Sequence, residues 1–107
     1  MKKILYVGLL YNYGKPEEGF SYEHMNIEAG LRDCAERGMC EVTFFYPDEP
    51  PPESSYIEAV YNCDAIFNVA FNESLDLPAS MASLALKLDK PVIQFDCDSS
   101  WRFNNWI

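Results

Sequence analysis

Three stretches of this 107-residue chain carry side chains able to do chemistry. The first is Gly8-Leu9-Leu10-Tyr11-Asn12-Tyr13-Gly14. Glycines after a strand let the backbone approach a ligand, and the N-terminus of a following helix attracts anions. Gly8, Tyr11 and Gly14 are therefore candidate binding residues, the structural alternative being a turn glycine followed by a loop glycine. Their spacing is neither the dinucleotide fingerprint nor a phosphate loop ending in Gly-Lys-Ser/Thr. The second stretch holds His24, the only histidine. In the first turn of a helix it meets the positive end of the helix dipole, which disfavours imidazolium and leaves a neutral base. His24 is the candidate catalytic general base; the alternative is a hydrogen-bonded structural histidine. The third is Asp96-Cys97-Asp98, followed by Trp101 and Arg102. Carboxylates so spaced at a strand end can hold Mg²⁺ through waters or accept hydrogen bonds from sugar hydroxyls. Alternatively, Asp98 caps a turn with Ser99 and Ser100 while Asp96 pairs with Arg102. Trp101 has a flat apolar face that stacks on sugars or anchors a domain seam, and Arg102 can neutralise a phosphate or form a local ion pair. No second histidine or cysteine near His24 suggests a metal site, so none is expected. No Ser/His/Asp or Cys/His arrangement is visible.

The elements that must position these residues follow from periodicity. Lys3 to Leu10 is a near-continuous apolar run, as suits a parallel strand covered on both faces. A loop rich in Gly, Pro, Asn and Glu runs from Tyr11 to Phe20. Ser21 is the expected N-cap of a helix reaching about Arg37, with Ile27, Leu31, Cys34 and Ala35 on one stripe and Gly38 as the stop. Cys40 to Tyr46 is β-branched and aromatic, a second strand. Pro47 to Pro52 reads as an exposed connection. A helix over about Glu53 to Asn62 should turn Ile57, Val60 and Tyr61 inward. Ala65 to Phe71 is a third strand. Asp76 and Pro78 mark the start of a third helix, whose Leu77, Met81, Leu84, Ala85 and Leu88 repeat at helical spacing. Lys90-Pro91 ends it, and Val92 to Phe95 is a fourth strand. The order β-α-β-α-β-α-β predicts a three-layer Rossmann-like or flavodoxin-like α/β fold with right-handed crossovers. The expected strand order is 2-1-3-4, since the first and third strands are the most apolar. In such a sheet ligands bind beyond the carboxyl ends of the strands, where strand order reverses, and all three chemical stretches fall at that edge.

Length and charge bound the rest. A chain of this size is one domain, with roughly 65% of its surface buried on folding. Hydrophobic residues make up 49% and aromatic residues 15%, enough for a core. Seventeen acidic residues against eight basic ones give a formal charge of −9, which repels nucleic acid and anionic lipid. Neither is an expected partner. The apolar stretch from Ile4 to Leu10 is too short for a signal peptide and is interrupted by Gly8. The separated cysteines Cys34, Cys40, Cys63 and Cys97 are expected as reduced thiols, and the expected compartment is the cytoplasm.

Two end motifs carry a resemblance. Lys3-Ile4-Leu5-Tyr6-Val7-Gly8, followed by Tyr13-Gly14 and Gly19-Phe20-Ser21-Tyr22-Glu23, resembles the start of the CgeB-type glycosyltransferase-like proteins, the spore-maturation relatives of group 1 glycosyltransferases. Asp98-Ser99-Ser100-Trp101-Arg102-Phe103-Asn104-Asn105 resembles the Asp-x-Trp-Arg-Phe-x-Asn stretch of the same N-terminal domain. The resemblance implies a GT-B architecture, with two Rossmann-like lobes around a cleft. The second lobe would hold most contacts to the nucleotide-sugar donor, and the first would receive the acceptor. The chain stops where the family continues into its second lobe, so it is expected to be a fragment or a stand-alone remnant. On this reading it is the acceptor-side lobe of a nucleotide-sugar-dependent transferase, inactive alone. It carries no cofactor of its own, and its partners are a second lobe or partner chain and a small glycosyl acceptor. Two other readings stand beside it. One is a non-catalytic binding or regulatory module with a flavodoxin-like sheet. The other is a nucleoside deoxyribosyltransferase-like enzyme, suggested by Asp64-Ala65-Ile66-Phe67 and Lys90-Pro91-Val92-Ile93, although no glutamate stands before Ala82-Ser83-Leu84 to serve as its nucleophile.

Overall fold

The computed structural model describes residues 1–49, 53–70 and 77–96. Four strands, β1 (Lys3–Val7), β2 (Glu41–Phe45), β3 (Ala65–Ala70) and β4 (Val92–Asp96), alternate with three helices, α1 (Tyr22–Glu36), α2 (Glu53–Asn62) and α3 (Ala79–Lys87). All strand pairs are parallel, in the order β2-β1-β3-β4. The fold is thus the expected α/β sheet in the expected order. The apolar runs of β1 and β3 occupy the centre because both faces there are covered.

Side-chain alternation divides the sheet between two layers. Leu5, Val7, Phe45 and Ile66 point to the face carrying α2 and α3, where they form a buried cluster with Val60, Cys63, Met81 and Ala85. Tyr6 points the other way, beneath α1, and its hydroxyl donates to the His24 carbonyl at 3.3 Å. The α1 layer is tied to β2 by a polar cluster. Glu28 Oε1 accepts from Tyr46 Oη at 2.7 Å and from Arg32 Nη2 at 2.6 Å, and the Arg32 guanidinium lies 4.0 Å above the Phe44 ring. Burial and the Glu28 hydrogen bond push the Tyr46 phenol up to about 12.

Helix ends follow local chemistry. Gly38, at φ 76°, closes α1: its N–H donates to the Ala35 carbonyl and the Met39 N–H to that of Cys34, each at 3.0 Å. Asp89 takes the same left-handed conformation after α3, at φ 56°, and the Lys90 N–H reaches the Ala85 carbonyl at 2.8 Å. Lys90 Nζ donates to the carbonyls of Tyr61 and Cys63 at the end of α2. At the N-terminal rim the Lys3 N–H donates to Asp64 Oδ2 at 2.8 Å, which holds that carboxyl below its ordinary range.

β1 ends at Val7, short of the expected Leu10, and the structure differs from the sequence expectation in two further places. Helix α2 turns Tyr56, Ala59 and Val60 to the core, continued by Cys63, and leaves Ile57 and Tyr61 exposed. Two apolar stripes compete on that helix, and the one continuing into Cys63 meets the sheet. Ser21 occupies the N-cap position of α1, but its hydroxyl makes no capping bond.

Candidate functional site at the C-terminal rim

Strand order reverses between β1 and β3. The chain leaves β1 towards β2 but leaves β3 towards β4, the switch point at whose C-terminal side open α/β sheets form their ligand crevice. The loop after β1, the N-terminus of α1 and the loop after β2 meet there.

The loop of residues 11–20 is pinched shut at its base. Tyr11 and Phe20 form an antiparallel bridge, the Ser21 N–H donates to the Leu10 carbonyl at 2.9 Å, and the Asn12 N–H donates to that of Gly19 at 2.9 Å. Asn12 Nδ2 adds bonds to the carbonyls of Glu18 and Phe20. Two single-turn 3-10 helices, Asn12–Gly14 and Pro16–Glu18, fill the interior. Above this neck the Tyr11 and Phe20 rings stack, with centroids 5.3 Å apart and planes 17° from parallel. Phe20 is 49% exposed, and Tyr13 and Tyr22 beside it in sequence are also exposed. The rim thus presents aromatic surface held on an ordered loop. Tyr11 is among the residues expected here; Phe20 enters the sequence reading as the end of the loop and within the Gly19-Phe20-Ser21 stretch, without a binding role.

Gly8 has an internal reason to be glycine. A Cβ there would lie 2.5 Å from the Tyr6 hydroxyl oxygen and 2.7 Å from Cζ. Tyr6 is fully buried and cannot yield. Gly14 is needed for its backbone, at φ 73°, and its missing side chain faces Asp48.

His24 and Ser21 are both buried, and Ser21 Oγ lies 2.6 Å from His24 Nδ1. His24 Nε2 lies 3.3 Å from the carbonyl oxygen of Val69, on β3. A carbonyl only accepts, so Nε2 carries the proton and Nδ1 accepts from the serine hydroxyl. Burial lowers the imidazole pKa, partly opposed by the Val69 hydrogen bond. The pair bridges α1 to β3 across the crevice floor. A proton acceptor facing solvent is not what this geometry presents.

Asp48, just after β2, belongs to no motif in the sequence. Both of its carboxylate oxygens accept from the Leu10 N–H at 3.0 Å, and Oδ2 also accepts from the Tyr11 N–H at 2.8 Å. β1 and β2 pair with a constant offset, Val7 opposite Phe45, and the same offset carried three residues further sets Leu10 beside Asp48. Glu49 Oε2 accepts from the Tyr11 hydroxyl at 3.3 Å. The rim around the aromatic pair is therefore acidic.

Asp96 ends β4 at this same rim, with its backbone opposite Ala70. Asp98, Trp101 and Arg102 lie outside the described residues, as do Asp76 and Phe71. The structure therefore brings Gly8, Tyr11, Gly14 and His24 together around one crevice and adds Phe20, Ser21 and Asp48. A pocket of about 250 Å³ lined by Lys3, Glu41, Thr43, Glu58 and Cys63 lies at the N-terminal half of the sheet, away from this crevice. Among the described residues no group of three or more His, Cys, Asp or Glu side chains is placed to hold a metal, and no helix is long and apolar enough to cross a membrane.

Fold and rim together define a Rossmann-like α/β protein with its loops gathered at the β1/β3 switch point. No protein-family model matches the chain, and no curated protein matches it.

Proposed function

We propose that this chain is the acceptor-side lobe of a nucleotide-sugar-dependent glycosyltransferase-like protein and binds a glycosyl acceptor at the β1/β3 crevice. The observation that carries the reading is the stacked Tyr11–Phe20 pair, half-exposed on a pinned loop at the switch point. The apolar face of a pyranose ring packs on an aromatic plane, and acidic side chains beside that plane accept hydrogen bonds from the sugar hydroxyls. Glu49, next to Tyr11, is such an acceptor. The resemblance of both chain ends to the CgeB-type proteins supports the same assignment. The buried state of His24 supports a lobe that binds rather than one that supplies a solvent-facing base.

A second wall is part of this reading. β4 is one of the two outer strands of the described sheet, and Val92, Ile93 and Phe95 are all exposed on it. An edge strand that carries apolar side chains and no charge from Val92 to Phe95 is a surface prepared for a neighbour. In a GT-B enzyme that neighbour, whether a second lobe or a partner chain, would bring the donor. The burial of His24 equally favours the second reading, a binding module that transfers nothing.

Calorimetry separates these ideas. The chain should bind neutral glycosides weakly and bind nucleotide sugars immeasurably, and Phe20→Ala should weaken glycoside binding about tenfold, the loss of one good stacking contact. Micromolar affinity of this chain alone for a nucleotide sugar would contradict the acceptor-side assignment. Glycoside binding by a chain that never supports transfer with any second lobe would leave the binding module.

A further inference from the structure

Beyond the C-terminal end of a central parallel strand, next to a helix N-terminus, backbone N–H groups are the usual donors to a ligand's phosphate or carboxylate. In this chain two such donors after β1 are the N–H groups of Leu10 and Tyr11, and both are engaged by the carboxylate of Asp48. Three features fix the arrangement. The parallel pairing of β1 with β2 sets position 48 beside position 10. A turn in which the Glu49 N–H donates to the Tyr46 carbonyl at 3.0 Å holds the chain at Asp48. Gly14, at φ 73°, turns the loop back against Asp48, with its Cβ direction in ordinary contact 3.7 Å from Asp48 Cβ. No lysine or arginine among the described residues forms an ion pair with Asp48; its charge is met by the two amides.

We propose that Asp48 is a resident anion that fills the anion seat of the β1–α1 loop and excludes phosphate-bearing ligands from this rim. A diphosphate approaching Leu10 and Tyr11 meets a carboxylate already bonded to the donors it needs, and two anions cannot share two amides. Ligands that reach the Leu10 and Tyr11 amides are therefore neutral or cationic. The occupied seat stands on its own geometry; only the step that names the acceptor as an uncharged or amine-bearing glycoside rests on the acceptor-side reading.

The test removes the carboxylate and offers a replacement. Backbone amide resonances are followed by NMR in wild type, Asp48→Ala and Asp48→Asn, titrated with inorganic phosphate and with formate at constant ionic strength. In Asp48→Ala the Leu10 and Tyr11 amides should shift saturably with either anion, with affinity at least about tenfold above wild type. Asp48→Asn keeps an acceptor oxygen in the seat and should respond no more than wild type. If Asp48→Ala does not fold in chloride, folding restored by formate is the expected result, and failure to fold in both salts overturns the proposal. Unresponsive amides in a folded Asp48→Ala, or equal phosphate binding by wild type, also overturn it. A neutral glycoside arm keeps the two claims apart. Phosphate binding gained by Asp48→Ala without glycoside binding by wild type would sink the acceptor-side reading and leave the seat standing.

Discussion

At the scale of single residues, the rim is built from groups whose chemistry is already committed to the fold. Gly8 is the clearest case, because its missing side chain is the space that the Tyr6 ring fills. Gly8→Ala should destabilise the protein by roughly 1–3 kcal/mol through overpacking, measured by urea unfolding. Part of that loss should be recovered in a Tyr6→Leu background, where the clashing ring is gone; equal cost in both backgrounds would remove the steric account. His24 gives a pH dependence of known sign. Its folded pKa lies below the ordinary imidazole value because burial penalises the charged form. The unfolded chain therefore takes up the proton first, and stability falls as pH drops below about 6.5, at no more than about 1.4 kcal/mol per pH unit. Comparing thermal midpoints at pH 7 and pH 5 isolates the effect, since His24→Gln should flatten the dependence. The depressed pKa of Asp64 acts in a separate window: its contribution is present above the ordinary aspartate range and lost as pH falls through the lower folded value.

At the scale of elements, helix ends and layer contacts give the next tests. Asp89 holds a left-handed conformation that glycine adopts without steric cost, and Gly38 does the same job after α1. Asp89→Gly should therefore stabilise the chain by up to about 1 kcal/mol, seen as a raised thermal midpoint. Glu28 joins α1 to β2 through Tyr46 and Arg32, and its side chain is only 12% exposed. Glu28→Ala should cost roughly 1–2 kcal/mol, more than Asp33→Ala, whose pair with Arg37 lies in solvent. The element order was legible because its signals are local: apolar runs for the strands, a glycine stop for α1, a proline before α3. The rotation of α2 was less so. Tyr56, Ile57, Val60 and Tyr61 supply two overlapping stripes, and only the sheet beneath decides that Val60 goes in and Ile57 stays out.

At the scale of the whole molecule, the site depends on quantities that no short stretch encodes. The strand order 2-1-3-4 followed from the apolar character of β1 and β3, and it places the crevice. The register between β1 and β2 did not follow, because a parallel pair can slide by two residues without turning its apolar face outward. Asp48 was hidden for that reason, since only the observed offset sets it beside Leu10. Phe20 was hidden because its ring matters only once residues 11–20 close on themselves and bring it over Tyr11. Ser21 suggested a cap from its type, but α1 lies close enough to β3 for His24 to take the hydroxyl instead.

The central claim is that a neutral sugar occupies the aromatic rim above the β1/β3 switch point. A residue-resolved NMR titration of the chain with a panel of neutral glycosides tests it most directly. The account predicts saturable shifts at Tyr11, Phe20 and their loop neighbours, lost in Phe20→Ala, with Lys3, Thr43 and Glu58 at the other end of the sheet unmoved. Shifts centred on that distant pocket, or none at the rim with any glycoside, would contradict it.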